Sequence, residues 1–380
     1  VDDLQRYPDS SRTIFMNAPY PPEGSGSQPV YATTASPYNI APAAPRSSFV
    51  GKLLIVLLLL AFLGSAMLNV LLIVAVAVRA AGGENRIQEQ YVSHERFANN
   101  KIAILSIEGV IVSGEGFFKR QLDQAYKDYE AGELKALVLR VNSPGGTISG
   151  SDYILHHLRK FKQDTNDSVP IVVSMGGIAA SGGYYVSMAV GDTQDAIYAE
   201  PTTWTGSIGV IIPHYNLADL MKKVGIEEDD VTSHRLKGMG SISRPMTEEE
   251  KAIFQGLVNE GFSRFKEVVQ SGRPKFKADP AALDKLATGQ VFTADQAKEG
   301  GLVDQIGFLE DAVDRAITLA KLQKYDVSVV RYKAEPTLAD ALFGGQARAQ
   351  PSFDLAALLD SATPRAYYLY TWPVTAAKAE

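Results

Sequence analysis

The sequence predicts an α/β domain of stacked βαβ-type units, preceded by one transmembrane helix. Three observations carry this reading. Leu53 to Val78 is almost wholly apolar, broken only by Asn69 and small residues, and about 20 such residues suffice to cross a hydrocarbon core. From about Asn99 onward, short apolar runs alternate with stretches of helical periodicity, the pattern of strands and helices packed in layers. Two of the strand-like regions lead into glycine turns, Asn142-Ser143-Pro144-Gly145-Gly146 and Gly176-Gly177-Ile178-Ala179-Ala180-Ser181-Gly182-Gly183-Tyr184-Tyr185.

Taken in order, residues 1–48 are rich in Pro, Ser, Ala and Tyr and lack a periodic apolar pattern. Such a segment buries too little surface to offset its ordering entropy, so a disordered tail is expected. Residues 50–79 form the expected membrane anchor, bracketed by Lys52 and Arg79. A cleaved signal peptide is the rival, since Ala75-Val76-Ala77 has the small-x-small form of a cleavage site. The apolar run is too long for a signal-peptide core, however, and begins only at Leu53. Basic residues lie on both flanks (Arg46 and Lys52; Arg79, Arg86 and Arg96), so charge alone does not set the orientation. Residues 80–98 read as a linker.

The domain expected over residues 99–330 begins with a strand in Lys101 to Val112. A helix follows over 119–131, then a buried strand at 136–141. Ile154, Leu155, Leu158 and Phe161 recur at helical spacing. Pro170-Ile171-Val172-Val173-Ser174 reads as a strand leading to Ser181, after which a helix begins. Asp195 to Ala199 is the next strand, and Thr205-Gly206-Ser207-Ile208-Gly209-Val210 reads as a turn entering another. Thr247-Glu248-Glu249-Glu250 is a capping box. The helix it opens carries Phe254, Leu257, Val258, Phe262, Phe265, Val268 and Val269 on one face, read as core or subunit contact. Residues 331–380 form a C-terminal extension with the aromatic run Ala366-Tyr367-Tyr368-Leu369-Tyr370-Thr371-Trp372.

Composition narrows the function. The net charge of −6 offers no basic footprint for nucleic acid. Cysteine is absent, which removes cysteine nucleophiles, thiolate metal sites and disulfides. Five histidines are present, none in H-E-x-x-H spacing, so a metalloenzyme is not expected, carboxylate-only sites aside; the serine chemistry read below requires no cofactor.

Ser181 is the expected nucleophile. Its small neighbours leave the hydroxyl accessible to a peptide backbone, and the glycines after it let main-chain N–H groups approach an oxyanion. A helix starting at Ser181 would aim N–H groups and a positive dipole end at the same place. The base is not named by spacing alone. His214 and His234 are candidates, but neither sits in a pattern that supplies an orienting carboxylate. A lysine serves only when neutral, which requires lowering a reference pKa of about 10.4 by about three units, worth roughly 4 kcal/mol. Lys237 has apolar neighbours and stands apart from the acidic run Glu227-Glu228-Asp229-Asp230, yet by itself it reads more readily as a solvated loop lysine than as a base.

From about Lys101 to Ile317 the chain resembles the signal peptide peptidase A family of membrane-anchored serine proteases, in its short, single-domain form. The resemblance rests on Val141 to Gly146, Ala179 to Tyr185, Thr205 to Val210, and Leu236-Lys237 followed by Ser243-Arg244-Pro245-Met246-Thr247. It implies the Clp-protease/crotonase fold of stacked ββα units. It also implies a Ser–Lys dyad at Ser181 and Lys237, with Ser207 orienting the lysine. The implied oxyanion donors are the backbone N–H of Gly182 and of the Gly145-Gly146 turn. In the short forms, serine and lysine come from adjacent subunits of a ring, so a homo-oligomer is expected. The implied substrates are apolar peptides such as cleaved signal peptides, met near the bilayer by an extracytoplasmic catalytic domain with a cytoplasmic N-terminal tail. Two departures stand out: Gly238 follows the lysine where the family usually has Asp, and extra residues fall near Gly191-Asp192-Thr193-Gln194. Three rival readings share parts of this pattern. They are a Clp-type Ser-His-Asp protease using His214, a crotonase-like acyl-CoA enzyme, and a non-catalytic membrane scaffold.

Overall fold

The computed structural model describes residues 49–81, 87–334 and 366–369. The proline-rich tail 1–48 lies outside the described residues. The chain divides into two units, Val1–Leu72 and Ile73–Glu380. Helix α1 (Phe49–Ala81) has a span, Phe49–Ile73, with mean hydropathy 2.6, long and apolar enough by length and composition to cross a membrane.

In the second unit a nine-stranded sheet forms the centre. Its strands are β1 (Ile87–His94), β2 (Asn100–Glu108), β3 (Leu134–Ser143), and then, after the short β4 (Gly145–Thr147), β5 (Ile171–Ala180), β6 (Ile197–Ala199) and β7 (Trp204–Gly206). β8 (Val291–Thr293), β9 (Gln305–Ile306) and β10 (Val327–Ala334) complete it. The path runs β1-β10-β2-β3-β5-β6-β9, with β7 on β5 and β8 on β7. From β10 to β9 every neighbour is parallel, while β1 and β8 are antiparallel.

Parallel strands covered on both faces are apolar on both sides of the pleat, and this sequence shows it. Leu105 on β2, Leu139 on β3 and Val173 on β5 point into one cluster, while Ile104, Val138 and Val172 point into the other. Helices α2 (Phe117–Glu130) and α3 (Ile148–Asp164) cover the first face with Leu122, Leu155, Leu158 and Phe161. A later helix, Leu309–Leu319, covers the second with Ala312, Val313, Ala316 and Ile317. Each fully buried Leu or Phe contributes about 1.5–3 kcal/mol. This is an α/β fold with a mostly parallel central sheet, consistent with the Clp-protease-like arrangement.

Several boundaries differ from the sequence reading. The first strand of the expected domain stops at Glu108 rather than Val112, where Gly109 turns at φ 70°. β1 falls within the span read as linker, and β10 crosses the 330 boundary to pair with both β1 and β2. The order at Ser207 is reversed: strand β7 precedes it, and no regular strand follows. Between α3 and the Leu309 helix come α4 (Gly182–Ser187), α5 (Ala218–Lys223) and α6 (Glu248–Gly272), the last opened by the Thr247/Glu250 capping box. On α6 only the later part of the apolar face is buried, at Phe265, Val268 and Val269, whereas Leu257 is exposed.

Candidate active site

The site forms where β3 and β5 end. Val141 pairs with Met175 and Ser143 with Ala179, so β5 carries Gly176, Gly177 and Ile178 where β3 carries only Asn142. The Asn142 side chain fills this bulge, its Oδ1 accepting from the Ile178 N–H at 3.2 Å. Two buried threonines brace it further. Thr203 Oγ1 donates to the Gly176 carbonyl and Thr205 Oγ1 to the Ala179 carbonyl, each at 2.7 Å. The Asn142-Ser143 start of the first glycine turn therefore shapes the strand that delivers Ser181.

Ser181 is 1 % exposed and precedes α4, and its side chain makes no capping hydrogen bond. Its φ is 53°, a region that costs a non-glycine residue about 1–3 kcal/mol and that clusters at functional sites. Ala180 is in parallel register with Gly206, and the Ser181 N–H donates to the Gly206 carbonyl at 2.7 Å. Ser207 follows directly with φ 51° and lies 5 % exposed. Its hydroxyl donates to the Gly289 carbonyl at 3.1 Å. The structure thus brings Ser181 and Ser207 to neighbouring strand ends.

The glycines expected to stabilise an oxyanion also meet here. Gly145 has φ 98°, and a Cβ on it would stand 2.6 Å from the Gly182 nitrogen. A Cβ on Gly182 would stand 3.1 Å from the Gly146 nitrogen and 2.5 Å from Ser151 Oγ. Backbones approach this closely only without side chains. Gly182 is also the first residue of α4, so its N–H belongs to the helix end that lacks intrahelical acceptors. Ser143 Oγ accepts from the Gly145 N–H at 3.1 Å, a contact that sequence reasoning missed and that fixes the turn.

Within one chain no hydrogen bond joins Lys237 to Ser181. It is exposed in the short helical turn Arg235–Gly238, and its side chain enters no hydrogen bond or ion pair among the described residues. The carbonyl of the next residue, Gly238, is held by Arg244 Nη2 at 3.0 Å. Arg244 in turn grips the buried Glu250 with both terminal nitrogens, at 2.9 and 2.5 Å. Glu250 also accepts from the Thr247 N–H at 2.8 Å. The Arg244 hydrogen bonds, with the Thr247 N–H, hold the Glu250 carboxyl down at about 2. This clamp holds the turn at Gly238, the residue that follows Lys237. Its signal was present in Arg244 and the capping box, six residues apart.

His214 makes no hydrogen bond to Ser181. Its Nε2 lies 3.1 Å from the Ser241 carbonyl oxygen. A cleft of about 540 Å³ opens beside Ser207, lined also by Val210, Val258, Phe262, Gly289 and Leu369. A second cavity of about 660 Å³, lined by Met221, Glu228 and Arg244, contains none of Ser181, Ser207 or the glycine turn. It borders Arg235 and Gly238, on either side of Lys237, and not the two serines. Among the described residues, no group of three His, Cys, Asp or Glu side chains is placed to hold a metal ion.

Residues 163–323, spanning Ser181, Ser207 and Lys237, match the model of peptidase family S49. A protein of Enterococcus faecium named as a signal peptide peptidase SppA is 39 % identical over 264 residues, covering 67 % of this chain and 73 % of that protein. The chain belongs to this family. A Synechocystis protein named as a protease is 34 % identical over 69 % of this chain and 89 % of its own length. Protease 4 of Haemophilus influenzae is 36 % identical over 62 % of this chain but only 37 % of that longer protein. Membership makes this chain a peptidase and agrees with the fold around Ser181.

Proposed function

We propose that this peptidase is a membrane-anchored serine endopeptidase in which Ser181 is the nucleophile and Lys237 its base. Neutral Lys237 takes the Ser181 proton as Oγ bonds to a substrate carbonyl carbon. The carbonyl oxygen, now an anion, receives hydrogen bonds from the Gly182 N–H and the Gly145-Gly146 turn, each donor worth about 3–4 kcal/mol. The tetrahedral intermediate collapses as the C–N bond breaks, and the lysine ammonium protonates the leaving amine. Water then attacks the acyl-enzyme, with Lys237 again accepting a proton and returning it to Ser181.

The observation that supports this reading most directly is the meeting of Gly182 and the Gly145-Gly146 turn beside a strained, nearly buried Ser181. Lys237 is exposed on its own chain; it reaches Ser181 of a neighbouring copy in a homo-oligomeric ring, with Ser207 fixing its direction. Helix α1 anchors the chain in the bilayer, where apolar segments such as cleaved signal peptides would be met. A fluorophosphonate probe tests the nucleophile on the full chain. Labelling should map to Ser181 and vanish in Ser181→Ala, whereas undiminished labelling and hydrolysis in that variant would remove the proposal.

A further inference from the structure

His214 has no role in the catalytic reading above, but it is tied to the turn that carries Lys237. Its Nε2 lies 3.1 Å from the Ser241 carbonyl oxygen. A carbonyl only accepts, so this partner assigns the proton to Nε2, which keeps it in the neutral and the charged ring alike. The Ser241 N–H in turn donates to the Gly238 carbonyl at 3.2 Å. Gly238 directly follows Lys237. Its carbonyl is thus held twice, by Ser241 and by Arg244 Nη2.

Ser241 is a junction of several segments. Its hydroxyl donates to Glu228 Oε2 at 2.7 Å. With its one proton spent there, it accepts from the Ser243 hydroxyl at 2.7 Å. A second bond reinforces the tie from His214: the Leu217 N–H donates to the Ile242 carbonyl at 2.7 Å. The segment that begins at Ser207 and ends at His214 also walls the cleft. Val210 lines the cleft beside Ser207, and His214 lines an adjoining cavity of about 300 Å³ that shares Gln255 and Val258 with it. This wall is anchored at its start, where the Ser207 N–H donates to the Gln290 carbonyl at 2.8 Å and the Ile208 carbonyl accepts from the Gly289 N–H at 3.1 Å. One end of the wall is therefore fixed at a serine of the site, and the other is fastened to the lysine turn.

We propose that His214 is a positioning residue for Lys237: its Nε2–H, acting through Ser241 and Gly238, fastens the lysine turn to the wall of the cleft. The proposal rests on the reading of Lys237 as the base, and it assigns no proton transfer to His214. Losing the bond frees one of the two ties on Gly238, so the lysine spends less time in its reactive geometry. The expected cost is about fivefold in kcat, the scale of one neutral hydrogen bond. KM for peptide stays within about twofold, because the cleft keeps its walls.

The test compares His214→Ala and His214→Gln in the full chain, with far-UV circular dichroism to verify folding. The glutamine amide nitrogen can take the place of Nε2 and donates without titrating. Hydrolysis of an apolar peptide is followed from neutral to alkaline pH, together with the rate at which a fluorophosphonate labels Ser181. In His214→Ala both rates should fall about fivefold with KM nearly unchanged, and His214→Gln should restore both to within about twofold without moving the midpoint of the pH profile. A merely structural histidine would not give that rescue together with the split between kcat and KM. Unaltered rates in His214→Ala, or a glutamine variant as slow as the alanine one, would overturn the proposal while an inactive Lys237→Ala leaves the catalytic reading standing. Hydrolysis surviving in Lys237→Ala, or abolished in both His214 variants, would fault the catalytic reading and the proposal with it.

Discussion

The Ser181 N–H donates to the carbonyl of Gly206, immediately before Ser207, so the two serines leave neighbouring parallel strands side by side. Both turn at positive φ, 53° and 51°. Parallel register sets their proximity, and strain is the cost of turning both corners toward one place. A residue held in this way at a functional site trades stability for position.

That trade is measurable. Ser181→Gly should be inactive yet more stable than Ser181→Ala by about 1 kcal/mol, because only glycine occupies this φ freely. In an ordinary helix or strand the order is reversed. Thermal unfolding of the two variants checks it, and a lower Tm for the glycine variant would mean Ser181 is unstrained.

Gly145→Ala should lower kcat about 10²–10³-fold, because the methyl displaces the Gly182 N–H, the proposed oxyanion donor. The new methyl would press on the Gly182 nitrogen at 2.6 Å and on the Tyr368 carbonyl, from a backbone already at φ 98°. Steady-state kinetics with far-UV circular dichroism separates this from unfolding.

Arg244 ties the Gly238 carbonyl to Glu250 and so fixes the turn carrying Lys237. Arg244→Lys retains charge but not the fork that reaches both partners. It should lower kcat by at least tenfold while leaving KM for peptide within about threefold, if Lys237 is the base as proposed and the clamp acts on it and not on the groove.

The same carboxylate gives a stability prediction with a definite sign. The Glu250 value is depressed to about 2, mainly by its Arg244 hydrogen bonds and then by the Thr247 N–H. Its stabilisation is therefore complete above the ordinary carboxylate value and is lost as pH falls toward 2. The Tm of the full chain should drop between pH 4.5 and pH 2, and Glu250→Gln should flatten that part of the profile. An unchanged slope in the variant would assign the acid sensitivity elsewhere.

Much of this site was legible in the chain itself. Ser181, the glycine turn at 145–146 and the strands leading to them announce themselves through apolar runs that stop at small residues. The Thr247 capping box and its helix were equally plain. What escaped was long-range. β1 carries Gln88, Glu89 and Gln90 and lies at the sheet edge, where no apolar alternation is required. β7 is three residues long, too short for periodicity, so the turn at Ser207 was expected before its strand instead of after it. The strand Tyr367–Leu369 is held by β4 and Ile211, partners more than 150 residues away in sequence. No local pattern encodes such pairing. The Arg244 clamp depended on knowing that Gly238 and Glu250 come together in space.

The central claim, that Ser181 of one copy is served by Lys237 of another, is tested most directly by complementation. Ser181→Ala and Lys237→Ala are purified separately as full chains, assayed on an apolar peptide, and then assayed after mixing with subunit exchange verified. Both variants should be inactive alone, and the mixture should recover activity, because some neighbouring copies then pair an intact serine with an intact lysine. Hydrolysis by Lys237→Ala at near the unaltered rate, or a mixture that stays inactive after exchange, would contradict the account.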